Sequence, residues 1–83
     1  MTVNMQNVES SNIRRIGYDG DKRRLYIQFK SGATYRYLNV SGETYHTLMG
    51  SESLGRGFAT LVKGNPEEYP YLKLNVEPGE EED

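Results

Sequence analysis

Tyr35-Arg36-Tyr37 sets a guanidinium between two phenol rings, mid-chain and just after a glycine-containing turn. Aromatic faces stack bases and a cation holds phosphate, so the triplet has the chemistry of a nucleic-acid contact. The same residues can equally fill a small core. Further cations stand nearby, at Arg14-Arg15, Lys22-Arg23-Arg24 and Lys30, with Tyr26 among them. Arg14, Arg15, Arg24, Tyr26, Lys30 and Arg36 form the candidate nucleic-acid-binding set. Tyr35 and Tyr37 serve either as stacking platforms or as core. A smaller candidate is an anion site at Ser51, Ser53, Gly55 and Arg56, where backbone N–H groups at a helix start can bind one phosphate.

Catalytic and metal chemistry has little to build on. His46 is the one histidine and there is no cysteine, which removes thiolate chemistry and the usual zinc sites. Asp19-Gly20-Asp21 reads as a turn, since a calcium loop needs more oxygen ligands downstream. Gly55-Arg56-Gly57 lacks the Lys-Ser/Thr pair of a phosphate-binding loop. The expectation is a non-enzymatic domain with no cofactor and no metal.

The elements that must position these residues follow from length and pattern. A chain of 83 residues allows one domain, in which little burial can be wasted. The formal net charge of −2 hides an asymmetry: Ser10 to Gly64 carry nine Lys and Arg against four Asp and Glu, whereas Asn65 to Asp83 carry one against seven. The acidic end reads as a solvated tail or, more sharply, as a competitor with an anionic ligand for the basic face. The polar N-terminus has no apolar run, which predicts neither a leader nor a membrane span and points to a cytoplasmic protein.

Residues 1–9 read as a flexible N-terminus, 10–76 as a single domain and 77–83 as a disordered acidic tail. Ile13–Tyr18 alternates as a short strand, and Gly17 within it suggests a bulge or close backbone approach. In Arg24–Phe29, Leu25, Ile27 and Phe29 share one face, and Arg24, Tyr26 and Gln28 share the other. Tyr35–Val40 makes a third strand. Ser41 is a plausible N-cap for a helix carrying Tyr45, Leu48 and Met49 and stopped by Gly50. Ser51 or Ser53 caps a second, with Leu54, Phe58, Leu61 and Val62 at helical spacing. Glu67 to Tyr71 reads as a loop, and the alternating Leu72, Leu74 and Val76 allow a last strand. The implied fold is α+β: a small antiparallel sheet of three or four strands with two short helices packed on one face, in the order β-β-β-α-α with a possible final strand.

Several of these segments together resemble the KTSC domain family: Val8 to Ile13, Ile16-Gly17-Tyr18-Asp19, Leu25 to Phe29, Gly32, Tyr35-Arg36-Tyr37, Val40 and Ser53-Leu54-Gly55. That domain is named for its place at the C-terminus of some lysyl-tRNA synthetases, also stands alone in small bacterial and phage proteins, and has a central Tyr-x-Tyr motif. The resemblance runs from about Val8 to Lys63. Ser41 stands where relatives often have proline, and Ser51 where alanine is usual. The resemblance implies RNA as a partner, through the family's company with a tRNA synthetase.

The hairpin turn decides where the tyrosines point. A two-residue loop, Ser31-Gly32, pairs Gln28 with Tyr35 and Tyr26 with Tyr37, and makes an exposed aromatic platform with Arg36 on the apolar face. A three-residue loop, Lys30-Ser31-Gly32, pairs Ile27 with Tyr35 and Leu25 with Tyr37, and sends both motif tyrosines to the core. The second is preferred, because glycine suits the left-handed third position and Arg36 avoids the apolar side. Two short helices cover one face of a sheet, which predicts that Arg24, Tyr26 and Arg36 lie on an open, basic face. The functional expectation is nucleic-acid binding, RNA ahead of DNA. The alternatives are a protein-interaction or self-assembly module, with a protein partner or a second copy, and a binder of a small nucleotide or anion.

Overall fold

The computed structural model describes residues 3–81. Five antiparallel strands lie side by side in chain order: β1 (Met5–Asn7), β2 (Ile13–Asp19), β3 (Arg24–Phe29), β4 (Thr34–Tyr37) and β5 (Tyr71–Leu74). Helices α1 (Gly42–Met49) and α2 (Leu54–Phe58) occupy the connection between β4 and β5. From α2 the chain runs on as a wider π-helical stretch, Ala59–Lys63, closed by the Gly64 N–H donating to the Ala59 carbonyl at 2.9 Å. The class is α+β with helices on one face.

Period-2 alternation supplies the sheet's half of the core, and helical spacing supplies the rest. Ile13, Ile16, Leu25, Ile27 and Tyr37 meet Leu48, Phe58 and Val62 from the helices, with Val40 and Tyr69 closing the ends. Serines start both helices. Ser41 Oγ accepts from the Thr44 N–H at 3.1 Å, and Ser53 Oγ accepts from the Arg56 N–H at 3.4 Å, each satisfying a donor that the first turn leaves unpaired. Tyr18 ties β2 to α1, since its ring stacks on Tyr45 at 4.4 Å and its hydroxyl donates to the Val40 carbonyl at 2.6 Å.

The β3–β4 hairpin adopts the three-residue loop. Leu25 lies opposite Tyr37, Tyr26 opposite Arg36 and Ile27 opposite Tyr35. The Phe29 N–H donates to the Ala33 carbonyl at 2.9 Å, and Gly32 takes φ +101°. That backbone region is strained for a residue with a Cβ.

Both chain ends lie against the body of the domain. Met5–Asn7, expected within a flexible N-terminus, pairs with β2 through Met5–Gly17, Gln6–Ile16 and Asn7–Arg15. Gly17 explains the approach, because a Cβ there would overlap Met5 Sδ. The segment from Glu77 to Glu81, expected within the acidic tail, lies against the body. Pro78 is buried, and its carbonyl accepts from the Val3 N–H at 3.0 Å. The two expectations also take in Met1 and Thr2 at one end and Glu82 and Asp83 at the other, which lie outside the described residues.

Those ends also overturn the open sheet face. Tyr26, on the side away from the helices, has no exposed surface, and Leu74 on the same side is 8% exposed. The helices do cover only one face, but the two terminal segments cover part of the other. A domain of this size gains from burying the Tyr26 ring rather than leaving it in water.

Candidate functional site

Arg24 and Tyr26 are two residues apart on β3, and Arg36 faces Tyr26 from β4, so all three side chains leave the same side of the sheet. The carboxylate of Glu81 lies among them. Its Oε2 accepts from the Tyr26 hydroxyl and pairs with Arg24 Nη1 at 3.9 Å and Arg36 Nη1 at 3.6 Å, while Oε1 accepts from the Gly79 N–H at 2.7 Å. Burial by itself raises the Glu81 carboxyl. The Tyr26 hydroxyl, the backbone N–H groups and Arg36 outweigh it and hold the group below its ordinary value of 4.5. Burial first, and then the bond to Glu81, push the Tyr26 phenol up to about 12. The cation–aromatic cluster expected at the surface is therefore a closed site holding a carboxylate of its own chain.

The other cations of the candidate set are spread out. Arg15 Nε donates to Gln28 Oε1 at 2.6 Å along the same sheet side, and Arg14 is exposed. Lys30 is exposed in the hairpin loop. The small anion candidate has its hydroxyls engaged: Ser51 Oγ donates to the Thr47 carbonyl at 3.2 Å, and Ser53 caps α2. Gly55 packs so near Asn12 that a Cβ would stand 2.7 Å from Asn12 Oδ1, and Arg56 is exposed.

An open groove of about 690 Å³ lies on the helix side, at the end of the sheet that the helices leave bare. Phe29, Tyr35, Tyr37, Tyr69 and Tyr71 line it, with Lys30 and Lys63 also in its wall. Tyr71 lies opposite Tyr37 in the β4–β5 pairing. Its ring stands 5.8 Å from Tyr37 and 5.9 Å from Tyr35, and it is 60% exposed. Tyr37 is buried against Phe58 at 5.1 Å, and burial pushes its phenol up to about 12. Tyr35 is half-buried, with its ring edge against Phe29 at 5.8 Å. Of the Tyr-x-Tyr pair, Tyr37 is core and Tyr35 is shared between core and groove.

Residues 9–65 match the KTSC domain family. The chain belongs to that family. A crystal structure of a KTSC domain protein from Yersinia pestis superposes with a TM-score of 0.81 at 38% identity, covering 89% of this chain and 100% of that one. A protein of Stutzerimonas stutzeri strain A1501 is 38% identical over 68 residues, covering 82% of this chain and 93% of its own length. A protein of Tsukamurella paurometabola is 44% identical over 59 residues, covering 71% and 88%. The match to the KTSC family ends before Tyr71 and Glu81, so the groove's outer wall and the carboxylate latch lie beyond it.

Sequence reasoning missed Lys63, Tyr69 and Tyr71. Tyr69-Pro70-Tyr71 is a visible aromatic cluster, and two rings in three residues beside a proline is the signal that marks it. Its placement beside Tyr35 and Tyr37 depends on β5 pairing with β4 across the whole helical connection. Among the described residues no helix is long and apolar enough to cross a membrane, and no group of three or more His, Cys, Asp and Glu could hold a metal ion.

Proposed function

We propose that this KTSC domain is a nucleic-acid-binding module that takes single-stranded RNA, in preference to DNA, in the groove beside the Tyr-x-Tyr strand. The observation that carries the reading is the groove's composition: exposed Tyr71 and half-buried Tyr35 in one wall, with Lys30 and Lys63 at hand. Bases stack on such rings with little regard to sequence, and each stack contributes about 1–3 kcal/mol. Ammonium groups contact phosphates and make the affinity salt-dependent. The family's association with a tRNA synthetase favours RNA. Tyr26, Arg24 and Arg36 play no part in the groove.

Fluorescence titration of single-stranded RNA and of tRNA at several salt concentrations tests the reading. Measurable affinity at low salt is expected, together with a clear loss in Tyr71→Ala. No affinity at low salt, or an unchanged affinity in that variant, sinks it. A protein-interaction reading draws on a different observation: β5 is an edge strand, and Leu72 within it and Val76 just after it are 49% and 48% exposed. Edge strands pair with other chains. A discrete dimer in light scattering with no RNA affinity favours that alternative.

A further inference from the structure

The sheet side away from the groove carries a second set of converging donors. Tyr26, Arg24 and Arg36 all address one oxygen, Glu81 Oε2. That carboxylate leaves Arg36 short of acceptors. Arg36 Nε and Nη1 are buried with no hydrogen-bond partner, and a buried charged donor left unmade is among the more costly features a fold can keep. The second Glu81 oxygen accepts from the Gly79 N–H and makes no hydrogen bond to them. A phosphate group brings more acceptor oxygens and more negative charge than a carboxylate, and guanidinium forks match it. We propose that Arg24, Tyr26 and Arg36 form a phosphate-binding site, which Glu81 occupies in cis as a tethered stand-in.

The geometry allows exchange. Among the described residues, the strap from Glu77 to Glu81 is held by Glu81, by the buried Pro78 and by the Val3 N–H to Pro78 carbonyl bond, and no strand pairing runs along it, so lifting it leaves the sheet ladders whole. A cleft of about 500 Å³ borders the site, with Lys22, Arg24, Tyr26 and Gly79 among its lining residues. Asp19 and Asp21 also line it and disfavour an anion at that rim, although Asp19 Oδ1 already accepts from the Asp21 and Lys22 N–H groups. An incoming phosphate must compete with a carboxylate of high effective concentration, so affinity in the intact chain is weakened by the latch.

The full chain and its Glu81→Gln variant are titrated with inorganic phosphate, following the Arg36 Nε–H resonance by NMR. The variant is expected to bind about tenfold more tightly than the wild type, and adding Arg36→Gln to it is expected to remove the gain. Equal affinities, or an Arg36 resonance that does not move, overturn the proposal. Oligoribonucleotides with and without a 5′-phosphate, tested on Glu81→Gln carrying Tyr71→Ala, distinguish the source. A gain only with the 5′-phosphate identifies a terminal monoester, and a gain with both identifies the backbone. If Glu81→Gln does not fold, the wild-type chain carries the test. Excess phosphate must then shift the Glu81 carboxyl resonance, and a resonance that stays put refutes the idea. The two faces are separate, so failure here leaves the groove reading standing, and the reverse also holds.

Discussion

The Glu81 carboxylate and the groups around it carry a definite pH signature. Its folded value lies below its ordinary 4.5, so the carboxylate binds its proton less readily in the folded chain than in the unfolded one. The resulting stability is complete above about pH 4.5, and it is lost as pH falls from there through the lowered folded value. Melting temperatures of wild type and Glu81→Gln should differ at neutral pH and converge on acidification through that window. A gap that persists in acid contradicts the assignment. Tyr26→Phe removes only the hydroxyl, leaves the ring buried, and deprives Glu81 of a donor. A loss of roughly 1–3 kcal/mol in urea denaturation is expected. None of this was legible at the residue level in sequence: Glu81 sits in an acidic run that reads as solvated, and its side-chain partners Arg24, Tyr26 and Arg36 lie more than forty residues upstream.

At the level of elements, the β3–β4 hairpin is the part most fully specified by local chemistry. Gly32 at φ +101° closes a loop whose length sets the register of every β3–β4 pair. Gly32→Ala should cost roughly 1–2 kcal/mol through backbone strain alone, since an added Cβ there points into open space. Thermal denaturation measures it, and an unchanged midpoint contradicts the turn argument. Phe58 in α2 is the opposite case. It is buried against Phe29 and Tyr37, and Phe58→Ala should cost about 3–5 kcal/mol, enough to leave so small a domain largely unfolded by circular dichroism. The helix caps at Ser41 and Ser53 and the alternation of β3 were readable because each depends on neighbours a few residues away. β1 was not, because three polar residues carry no period and take their order from the β2 partner and the space at Gly17.

On the scale of the whole molecule, the sheet separates two chemistries. One side holds the helix-covered core and, at its bare end, the aromatic groove. The other holds the partly buried Arg24 and Arg36 beneath the acidic strap. If the groove binds RNA as proposed, its two lysines and its rings should separate experimentally. Lys63→Ala should lower the salt slope of RNA binding by about 0.7, whereas Tyr71→Ala should weaken binding at every salt concentration and leave the slope intact. Titrations across salt concentration check both, and a slope unaffected by Lys63→Ala removes that residue from the interface. The charge asymmetry seen along the chain also takes its meaning here. The basic body and the acidic end meet in space, at least through Arg24, Arg36 and Glu81.

The Tyr-x-Tyr triplet shows how far local sequence reaches. Turn chemistry and the period of two place Tyr35 and Tyr37 on the core side and Arg36 on the other, because both are short-range constraints that the chain states locally. What finally surrounds those side chains depends on segments distant in sequence. Tyr71 reaches Tyr35 and Tyr37 only after two helices have returned the chain to the sheet, and Glu81 reaches Arg36 only after β5 has been laid down. The physical reason is that alternation and turns fix direction, whereas exposure depends on which remote segments bury the most surface and charge. That Arg36 meets a carboxylate rather than water is a property of the assembled fold, set by where the chain's last segment comes to rest.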